Sequence, residues 1–234
     1  LAVPAQIAGV PEIAVTVPPG PDGQVNASVL AAASLLGLTD VFAIGGAQAI
    51  AALAFGAAGL PRVAKIFGPG NAWVAAAKSH VSTLPGGPAI DLPAGPSEVM
   101  VIADAGARPD FVAADLLAQA EHDPMAQVCL VSIGADIPAI EAELVRQLSV
   151  LPRRAIAERA LSHGVIAEAG NGDEAIAIAE RACPEHLIIQ TASPEDIARE
   201  VTTAGAIFLG AWTPESMGDY AAGPNHTLPT GGAG

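Results

Sequence analysis

Side chains able to do chemistry are concentrated in the carboxyl half of this 234-residue chain. They combine carboxamide, carboxylate and imidazole groups, and they are Gln119, His122, Glu185, His186, Glu215, Asp219 and His226. Only 15% of the residues are charged, so these groups stand out from an alanine-rich background. Neutral and anionic oxygen together with imidazole nitrogen suit a divalent metal of the zinc or manganese type. The Glu185-His186 dipeptide adds two side-chain types that enzymes use for proton transfer.

Gln119 and His122 are spaced three residues apart at the end of a predicted helix, residues 109–120, which Pro124 prevents from continuing. This spacing puts both side chains on one helix face, as in the Glu-x-x-His pairs of metal-binding bundles. A purely structural interpretation is a polar last turn in which His122 complements the helix dipole. The pair alone leaves both interpretations open.

Glu185 and His186 open a predicted strand after Cys183-Pro184. Ligands of open parallel sheets bind at the carboxyl ends of the strands, so a pair at a strand's start lies at the opposite edge unless the Pro184 turn carries it into a cleft. The structural alternative is a solvated glutamate beside a partly buried histidine. Cys183 is a candidate nucleophile for aldehyde chemistry, but buried, inert thiols are commoner.

Two glycine-rich loops in the amino half each lie between a predicted strand and a predicted helix. They are Gly45-Gly-Ala-Gln48 and Gly68-Pro-Gly-Asn71. Such loops can present backbone N–H groups to a pyrophosphate at a helix amino end. Neither has the Gly-x-Gly-x-x-Gly or the P-loop pattern. Two such loops side by side favour a dinucleotide cleft more than either loop does alone.

The elements that must position these groups follow a β-α alternation, which predicts parallel sheets with right-handed crossovers. Strands are predicted at residues 13–17, 41–43, 64–67, 98–103, 127–133, 165–169, 187–191 and 206–209. Helices are predicted at residues 26–37, 47–55, 72–81, 109–120, 137–148, 154–161, 173–181 and 194–202. Residues 84–97, rich in Pro and Gly, predict an interdomain connection, and residues 210–234 predict a loop.

Composition narrows the class of protein and of partner. Hydrophobic residues make up 51% of the chain and aromatic residues 3%, which predicts a sizeable core of Ala, Val, Ile and Leu. A net charge of −14 argues against a nucleic-acid partner. No apolar run reaches bilayer length and no signal-peptide pattern opens the chain, so we predict no membrane partner. The two cysteines give no disulfide framework, which favours the cytoplasm.

Six segments together make the chain resemble the histidinol dehydrogenases. They are IGGAQAIAALAFG (44–56), KIFGPGNAWVAAAKSHV (65–81), IDLPAGPSEVMVIAD (90–104), LLAQAEHDPMAQVCLVS (116–132), CPEHL (183–187) and AGAIFLGAWTPESMGDYAAGPNHTLPTGG (204–232). The ordered set is far more specific than any one of its members. The resemblance implies an α/β fold of two Rossmann-like domains with mostly parallel sheets flanked by helices. The domains would be an NAD-binding domain at 1–95 and a metal- and substrate-binding domain at 96–234, the second incomplete in this chain.

The family resemblance also implies a reaction and a role for each site residue. The reaction is the zinc-dependent oxidation of L-histidinol to L-histidine in two NAD-linked steps through an aldehyde. His186 would accept the alcohol proton, and Glu185 would help to activate water against the aldehyde. The implied zinc ligands are Gln119, His122 and Asp219, and the implied NAD contacts are Gln48 and Asn71. The implied substrate contacts are Ser97, Gln119, His122, His186, Glu215, Asp219 and His226.

Two segments of the family are missing from this sequence: an N-terminal region with a Tyr at the cofactor site, and a C-terminal tail with a further zinc-binding His. We therefore expect part of a longer polypeptide, weakly active or inactive by itself, from a homodimer whose site that tail completes. One alternative is a dehydrogenase of another small polyol, such as a sulfonated diol. Another is an inactive fragment that only binds nucleotide. Glu215 favours histidinol, because a carboxylate suits an ammonium or imidazole group and would repel a sulfonate.

Overall fold

A computed structural model describes residues 1–92 and 97–220, except for the side chains of Asp219 and Tyr220. The chain divides into two compact units, Leu1–Gly95 and Pro96–Gly234, called the first and second unit below. Every strand pair within the described residues is parallel, and helices connect successive strands in both units. The predicted fold class, α/β with parallel sheets flanked by helices, is confirmed.

The first unit alternates short strands with helices. Its elements are α1 (Ala2–Ile7), β1 (Val15–Thr16), α2 (Ala27–Leu35), β2 (Val41–Phe42), α3 (Gly46–Phe55), β3 (Lys65–Ile66), α4 (Ala72–Thr83) and β4 (Ala89–Ile90). β1 pairs with β2, and β3 pairs with β4. The prediction missed α1. The prediction of residues 84–97 as a connection without regular structure was wrong at residues 89–90, which form β4. A strand of two residues flanked by Pro and Gly has no recognisable pattern in the sequence.

Helix ends in the first unit are set by caps that the sequence supplies. The Asn26 side chain accepts a hydrogen bond from Ser28 N (2.8 Å) and starts α2. Asn71 does the same for α4, accepting from the backbone N–H groups of its first turn. The residue before α3 is Gly45, which has no side chain to cap the helix. The residue after α3 is Gly56, whose φ of 69° is the left-handed conformation that closes many helices.

The second unit contains one parallel sheet in its described part, with strand order β7-β6-β5-β8-β9. Its elements are β5 (Glu98–Asp104), α5 (Pro109–Ala120), β6 (Gln127–Ile133), α6 (Ile137–Leu148), α7 (Arg154–Leu161), β7 (Val165–Glu168), α8 (Gly172–Ala182), β8 (His186–Gln190), α9 (Pro194–Glu200), β9 (Ala206–Leu209) and α10 (Met217–Tyr220). β5, the first strand of this unit, lies in the middle of the sheet. The chain adds β6 and β7 on one side of β5 and then β8 and β9 on the other side. This is the doubly wound arrangement of Rossmann-like folds.

Helices cover both faces of this sheet. Successive side chains of a strand point to opposite sides and therefore pack against different helices. On one side Val99, Val101 and Ile188 pack with residues of α5. On the other side Met100 and Ile102 pack against α8 and α9 together with other apolar residues. His186 and Gln190 alternate with Leu187 and Ile189, so they share the face that α5 covers.

The structure corrects two further predictions in the second unit. β8 begins at His186, one residue earlier than expected, so the imidazole is part of the sheet. The predicted loop 210–234 contains the short helix α10, and its last described residue is Tyr220. None of the described helices is long and apolar enough to cross a membrane.

Candidate active site

His186 is surrounded by glutamates where β5 and β8 begin. Its ring is 1% exposed. Its Nδ1 lies 3.0 Å from the backbone oxygen of Glu98, 3.8 Å from Glu185 Oε2 and 3.8 Å from Glu215 Oε1. The site therefore combines one buried imidazole with a backbone acceptor and the carboxylates of two predicted site residues.

The hydrogen bond to Glu98 decides how the imidazole can act. A carbonyl oxygen only accepts, so Nδ1 must donate the proton at this contact. In the neutral ring the lone pair then resides on Nε2, which becomes the proton-accepting atom. His186 is thus oriented as a base by the backbone of the neighbouring strand.

Glu98 is a member of this cluster that sequence reasoning missed. Its backbone N–H donates to Glu185 Oε2 at 3.2 Å, so one residue anchors both members of the Glu185-His186 pair. Burial, and then the negative charge of Glu185, raise the pKa of the Glu98 carboxyl. A strand-initial glutamate next to Ser97 was the available signal, but the sequence does not show that β5 and β8 are neighbours.

The cluster lies at the amino edge of the sheet, opposite the edge at which such folds usually bind ligands. β-Ladder register places Val99 beside His186 and Glu98 beside Gln127. α5 connects β5 to β6, so its last turn returns to this same edge, bringing Gln119 and His122. Ser97 precedes β5 here, and its backbone oxygen accepts from Gln127 N at 3.1 Å.

The predicted cofactor residues lie on the first unit's strand-to-helix loops. Gln48 is exposed in the first turn of α3. Asn71 is also exposed, and its Oδ1 accepts from Trp73 N at 3.1 Å and Val74 N at 3.2 Å. The two helices therefore differ at their amino ends. α4 is closed by its own asparagine, whereas α3 begins at a glycine that supplies no side-chain cap.

Comparison with known proteins identifies the family. A family model described as histidinol dehydrogenase matches residues 1–234. The chain belongs to the histidinol dehydrogenase family. The Salmonella typhi histidinol dehydrogenase is 53% identical over 233 residues, which are 99% of this chain and 53% of that protein. The Xanthomonas axonopodis pv. citri histidinol dehydrogenase is 52% identical over 234 residues, 100% of this chain and 54% of that protein.

A solved structure supports the same relationship. The crystal structure of histidinol dehydrogenase from Elizabethkingia anophelis matches with a TM-score of 0.94 and 44% identity. The match covers 99% of this chain and 53% of that one. The chain thus spans about half the length of the histidinol dehydrogenases that it matches.

The metal ligands expected for a histidinol dehydrogenase are only partly described. Gln119 is 2% exposed in α5, whereas His122 is exposed just beyond the helix. Asp219 lies in α10, but its side chain is outside the described part of the structure, as is all of His226. Within the described residues, no group of three or more His, Cys, Asp and Glu side chains could hold a metal. A carboxamide oxygen and an imidazole nitrogen on one helix end nevertheless form a donor set compatible with zinc.

Cys183 has a structural position next to this site. It closes α8 in the left-handed conformation with φ 49° and is 2% exposed. Its Sγ donates to the backbone oxygen of Glu180 at 3.1 Å. These contacts favour the interpretation of Cys183 as a buried helix-terminal residue over that of a nucleophile.

Proposed function

We propose that this protein acts in histidine biosynthesis as a histidinol dehydrogenase that oxidises L-histidinol to L-histidine in two NAD-linked steps. The observation that carries the proposal is the buried His186 with Nδ1 bound to the Glu98 carbonyl and two carboxylates 3.8 Å away. A base held in one orientation is what alcohol oxidation needs, because the hydroxyl proton must leave as hydride departs from carbon.

His186 performs the first proton transfer at Nε2. The backbone bond at Nδ1 fixes the ring plane and the tautomer before substrate arrives. After accepting the proton, the imidazolium is stabilised by the nearby carboxylates of Glu185 and Glu215. The proton can then be passed on, and the base is restored for the second oxidation.

Glu185 serves the second step by activating water against the aldehyde. The residue is 5% exposed, and Oε2 is anchored by the Glu98 N–H at 3.2 Å. The Ala206 N–H donates to the Glu185 backbone oxygen at 2.9 Å, which fixes the residue between two strands. A carboxylate held this firmly can orient a water molecule and accept its proton.

Zinc would be held by Gln119, His122 and Asp219. When bound, it supplies Lewis-acid polarisation of the substrate oxygen and a template for the substrate's nitrogen atoms. Ser97, Glu215 and His226 would complete the substrate contacts. The described donors fit this role because Gln119 and His122 end the helix that returns to the edge where Glu185 and His186 begin β8.

NAD would be bound in the first unit through Gln48 and Asn71. When bound, it accepts one hydride in each oxidation step. The amino end of α3 suits a phosphate, because Gly45 brings no side chain to occupy the first backbone N–H groups. Gln48 lies in that same first turn and is exposed.

Substrate charge separates histidinol from other polyols. The carboxylates of Glu185 and Glu215 lie 3.8 Å from one imidazole, and the Glu98 carboxyl is close enough to Glu185 for its pKa to be affected. Such a site attracts an ammonium or imidazolium group and repels a sulfonate. We therefore favour L-histidinol over the sulfonated diols considered as alternatives. We further propose a cytoplasmic homodimer in which a C-terminal tail of the partner supplies the remaining zinc ligand.

The test is product identification with a panel of substrates. The intact protein, zinc and NAD are incubated with L-histidinol, a neutral diol or a sulfonated diol, and NADH and L-histidine are quantified. We expect L-histidine from histidinol and little NADH from the sulfonated diol. Preferential turnover of the sulfonated diol would contradict the proposal and identify the protein as a dehydrogenase of another small polyol. Saturable NAD binding without turnover of any substrate would instead support the alternative in which the protein only binds nucleotide.

A further inference from the structure

The first unit contains a buried ion pair with no part in the chemistry described above. Lys78 lies in α4 and is 1% exposed. Asp91 follows β4, and its side chain is 8% exposed. The Lys78 ammonium and the Asp91 carboxylate are in direct contact. The pair therefore connects the middle of a helix to the end of a strand within one unit.

Both members of the pair bind the same residue, Gly68. The Lys78 Nζ donates to the Gly68 backbone oxygen at 2.8 Å. The Gly68 N–H donates to Asp91 Oδ2, also at 2.8 Å. Asp91 Oδ1 additionally accepts from Leu92 N at 2.8 Å. The backbone of Gly68 is thus held on both sides by one pair of charges.

Gly68 needs such support because its backbone conformation is unusual. Its φ is +132°, a region that residues with side chains rarely adopt. Space is not the reason for glycine here, since an added Cβ would meet Leu1 Cδ1 at an ordinary 3.7 Å as its nearest neighbour. The constraint is conformational, and Lys78 and Asp91 maintain it.

Stability alone is a poor explanation for this ion pair. Burying a lysine and an aspartate costs solvation, and apolar residues of similar volume often serve stability as well or better. Burial would raise the pKa of the Asp91 carboxyl, but hydrogen bonds from Gly68, Lys78 and Leu92 outweigh it and the pKa is lowered. The carboxylate therefore keeps its charge. What the pair adds over an apolar contact is a defined backbone geometry.

That geometry is passed directly to an exposed loop. Pro69, Gly70 and Asn71 follow Gly68 and are exposed, and Asn71 then begins α4. Trp73, two residues further on, is 77% exposed. The loop is thus fixed at both ends, by the ion pair at Gly68 and by the helix cap at Asn71, while its middle faces solvent.

We propose that Lys78 and Asp91 are positioning residues for NAD, which hold Gly68 so that loop 68–71 is preformed for the dinucleotide. The proposal rests on the function proposed above, in which this loop contacts NAD. A preformed loop binds more tightly because its backbone is ordered before the ligand arrives. Lys78 and Asp91 act through Gly68 and touch neither the substrate nor the reacting atoms.

The test measures NAD affinity and loop protection in the intact protein. Calorimetric titration gives Kd for NAD and, separately, for L-histidinol. Hydrogen exchange reports the protection of the backbone amides of Gly68, Gly70 and Asn71. The first variant is the neutral pair Lys78→Met with Asp91→Asn, which avoids leaving one buried charge unpaired. The second is Gly68→Ala, which disturbs the same backbone without touching either charge and remains informative if the first variant does not fold.

The matched control is Val81→Ala. Val81 is buried in the same helix as Lys78, but it takes no part in the hydrogen bonds that Lys78 and Asp91 make to Gly68. Both test variants should raise Kd for NAD about tenfold, the factor expected when about one backbone residue must be ordered on binding. They should also speed exchange at residues 68–71 and leave Kd for L-histidinol unchanged. Val81→Ala should lower the melting temperature without weakening the binding of NAD.

Three outcomes would overturn the inference, and they are distinguishable. Unchanged NAD affinity in both test variants would make the pair purely structural. Equal weakening by Val81→Ala would show that any loosening of the first unit has this effect. Absence of saturable NAD binding by the unsubstituted protein would contradict the proposed function itself, and the positioning role would fall with it.

Discussion

A backbone hydrogen bond to Glu98 orients the His186 ring. Nδ1 donates to the Glu98 carbonyl at 3.0 Å, whereas the Glu185 and Glu215 carboxylates are both 3.8 Å away. Substitution of either glutamate therefore leaves the tautomer in place. Proton acceptance by His186 and water activation by Glu185 should therefore be separable by substitution.

His186→Asn should strongly slow oxidation of the alcohol, because the asparagine amide cannot accept the hydroxyl proton. Loss of a general base is typically worth about 10²–10⁴ in rate. The measurement is kcat with L-histidinol at saturating NAD. His163→Asn is the matched control, because His163 also contacts a backbone carbonyl, that of Ala126 at 3.2 Å, and is not part of the cluster. Similar losses in the two variants would remove His186 from the chemistry.

Glu185→Gln should slow oxidation of supplied histidinal more than oxidation of histidinol. The amide keeps an acceptor for the Glu98 N–H, so the strand ends stay in place, but it cannot accept a proton from water. Comparing kcat for the two substrates in the same variant checks this directly. Equal losses for alcohol and aldehyde would contradict the division of labour between Glu185 and His186.

Gln48→Ala and Asn71→Ala should both raise KM for NAD and leave KM for histidinol nearly unchanged. Only Asn71→Ala should also lower stability, by about 1 kcal/mol, because Asn71 caps α4. Asn71→Asp keeps the cap and separates the two effects. Steady-state kinetics beside thermal unfolding provide the measurement. A large change in histidinol KM with normal NAD binding would mean that the cofactor residues are misplaced.

The sequence predicted part of this site and could not predict the rest. Adjacent residues such as Glu185 and His186 are found by reading along the chain. The role of Glu98 depends on β5 and β8 being neighbours, although they are separated by some 80 residues, and a single sequence carries no record of that pairing. Asn71 was predicted as a cofactor contact, and the structure adds its role as a helix cap.

Between α5 and β8, a second buried polar contact lies near the opposite edge of the sheet. Gln190 Nε2 donates to Asp115 Oδ2 at 2.7 Å. Within the described residues, Gln190 Oε1 has no hydrogen-bond partner. Burial raises the pKa of Asp115 to about 6, because the hydrogen bond from Gln190 offsets only part of the lost solvation. This contact makes the packing of the helix on the sheet sensitive to pH.

The direction of that sensitivity follows from the raised pKa. Between 3.8 and about 6, the folded protein holds a proton on Asp115 that the unfolded chain has lost. The free energy of unfolding therefore falls as the pH rises through this window, by about 3 kcal/mol in all. Below the window the penalty is absent, and above it the full penalty remains.

Asp115→Asn should remove this pH dependence and raise the free energy of unfolding at neutral pH. An asparagine amide stays neutral and can also donate to Gln190 Oε1. Denaturant unfolding at about pH 4 and about pH 8 measures the difference. Asp110→Asn is the control on the same helix, since Asp110 is paired with Arg108 and its pKa is lowered. A larger stability gain for Asp115→Asn at acid pH than at neutral pH would contradict this account.

Elements were predicted best where the local signals were strong. α5, α6, α7, β6 and β9 have the predicted bounds. Pro in the first turn marks the start of α5 and of α6, and apolar runs mark β6 and β9. β4 was missed because two paired residues produce no periodic pattern. β8 gained His186 because its ladder with β5 and β9 begins there, a contact between distant segments.

At the scale of the whole molecule, family membership is shown over all 234 residues. The chain covers about half the length of its relatives, and the activity proposed above is therefore that of the intact protein. Two units divide the proposed tasks: NAD contacts in Leu1–Gly95, and metal, substrate and proton-transfer residues in Pro96–Gly234. The proposed four-electron reaction would use groups from both units.

The most direct test of that reaction is the number of NADH molecules formed for each L-histidinol consumed by the intact protein with zinc. We expect two, with L-histidine as the product and no accumulation of the aldehyde, and a strongly reduced rate of NADH formation with His186→Asn. One NADH for each histidinol with release of the aldehyde, or undiminished NADH formation by His186→Asn, would contradict it.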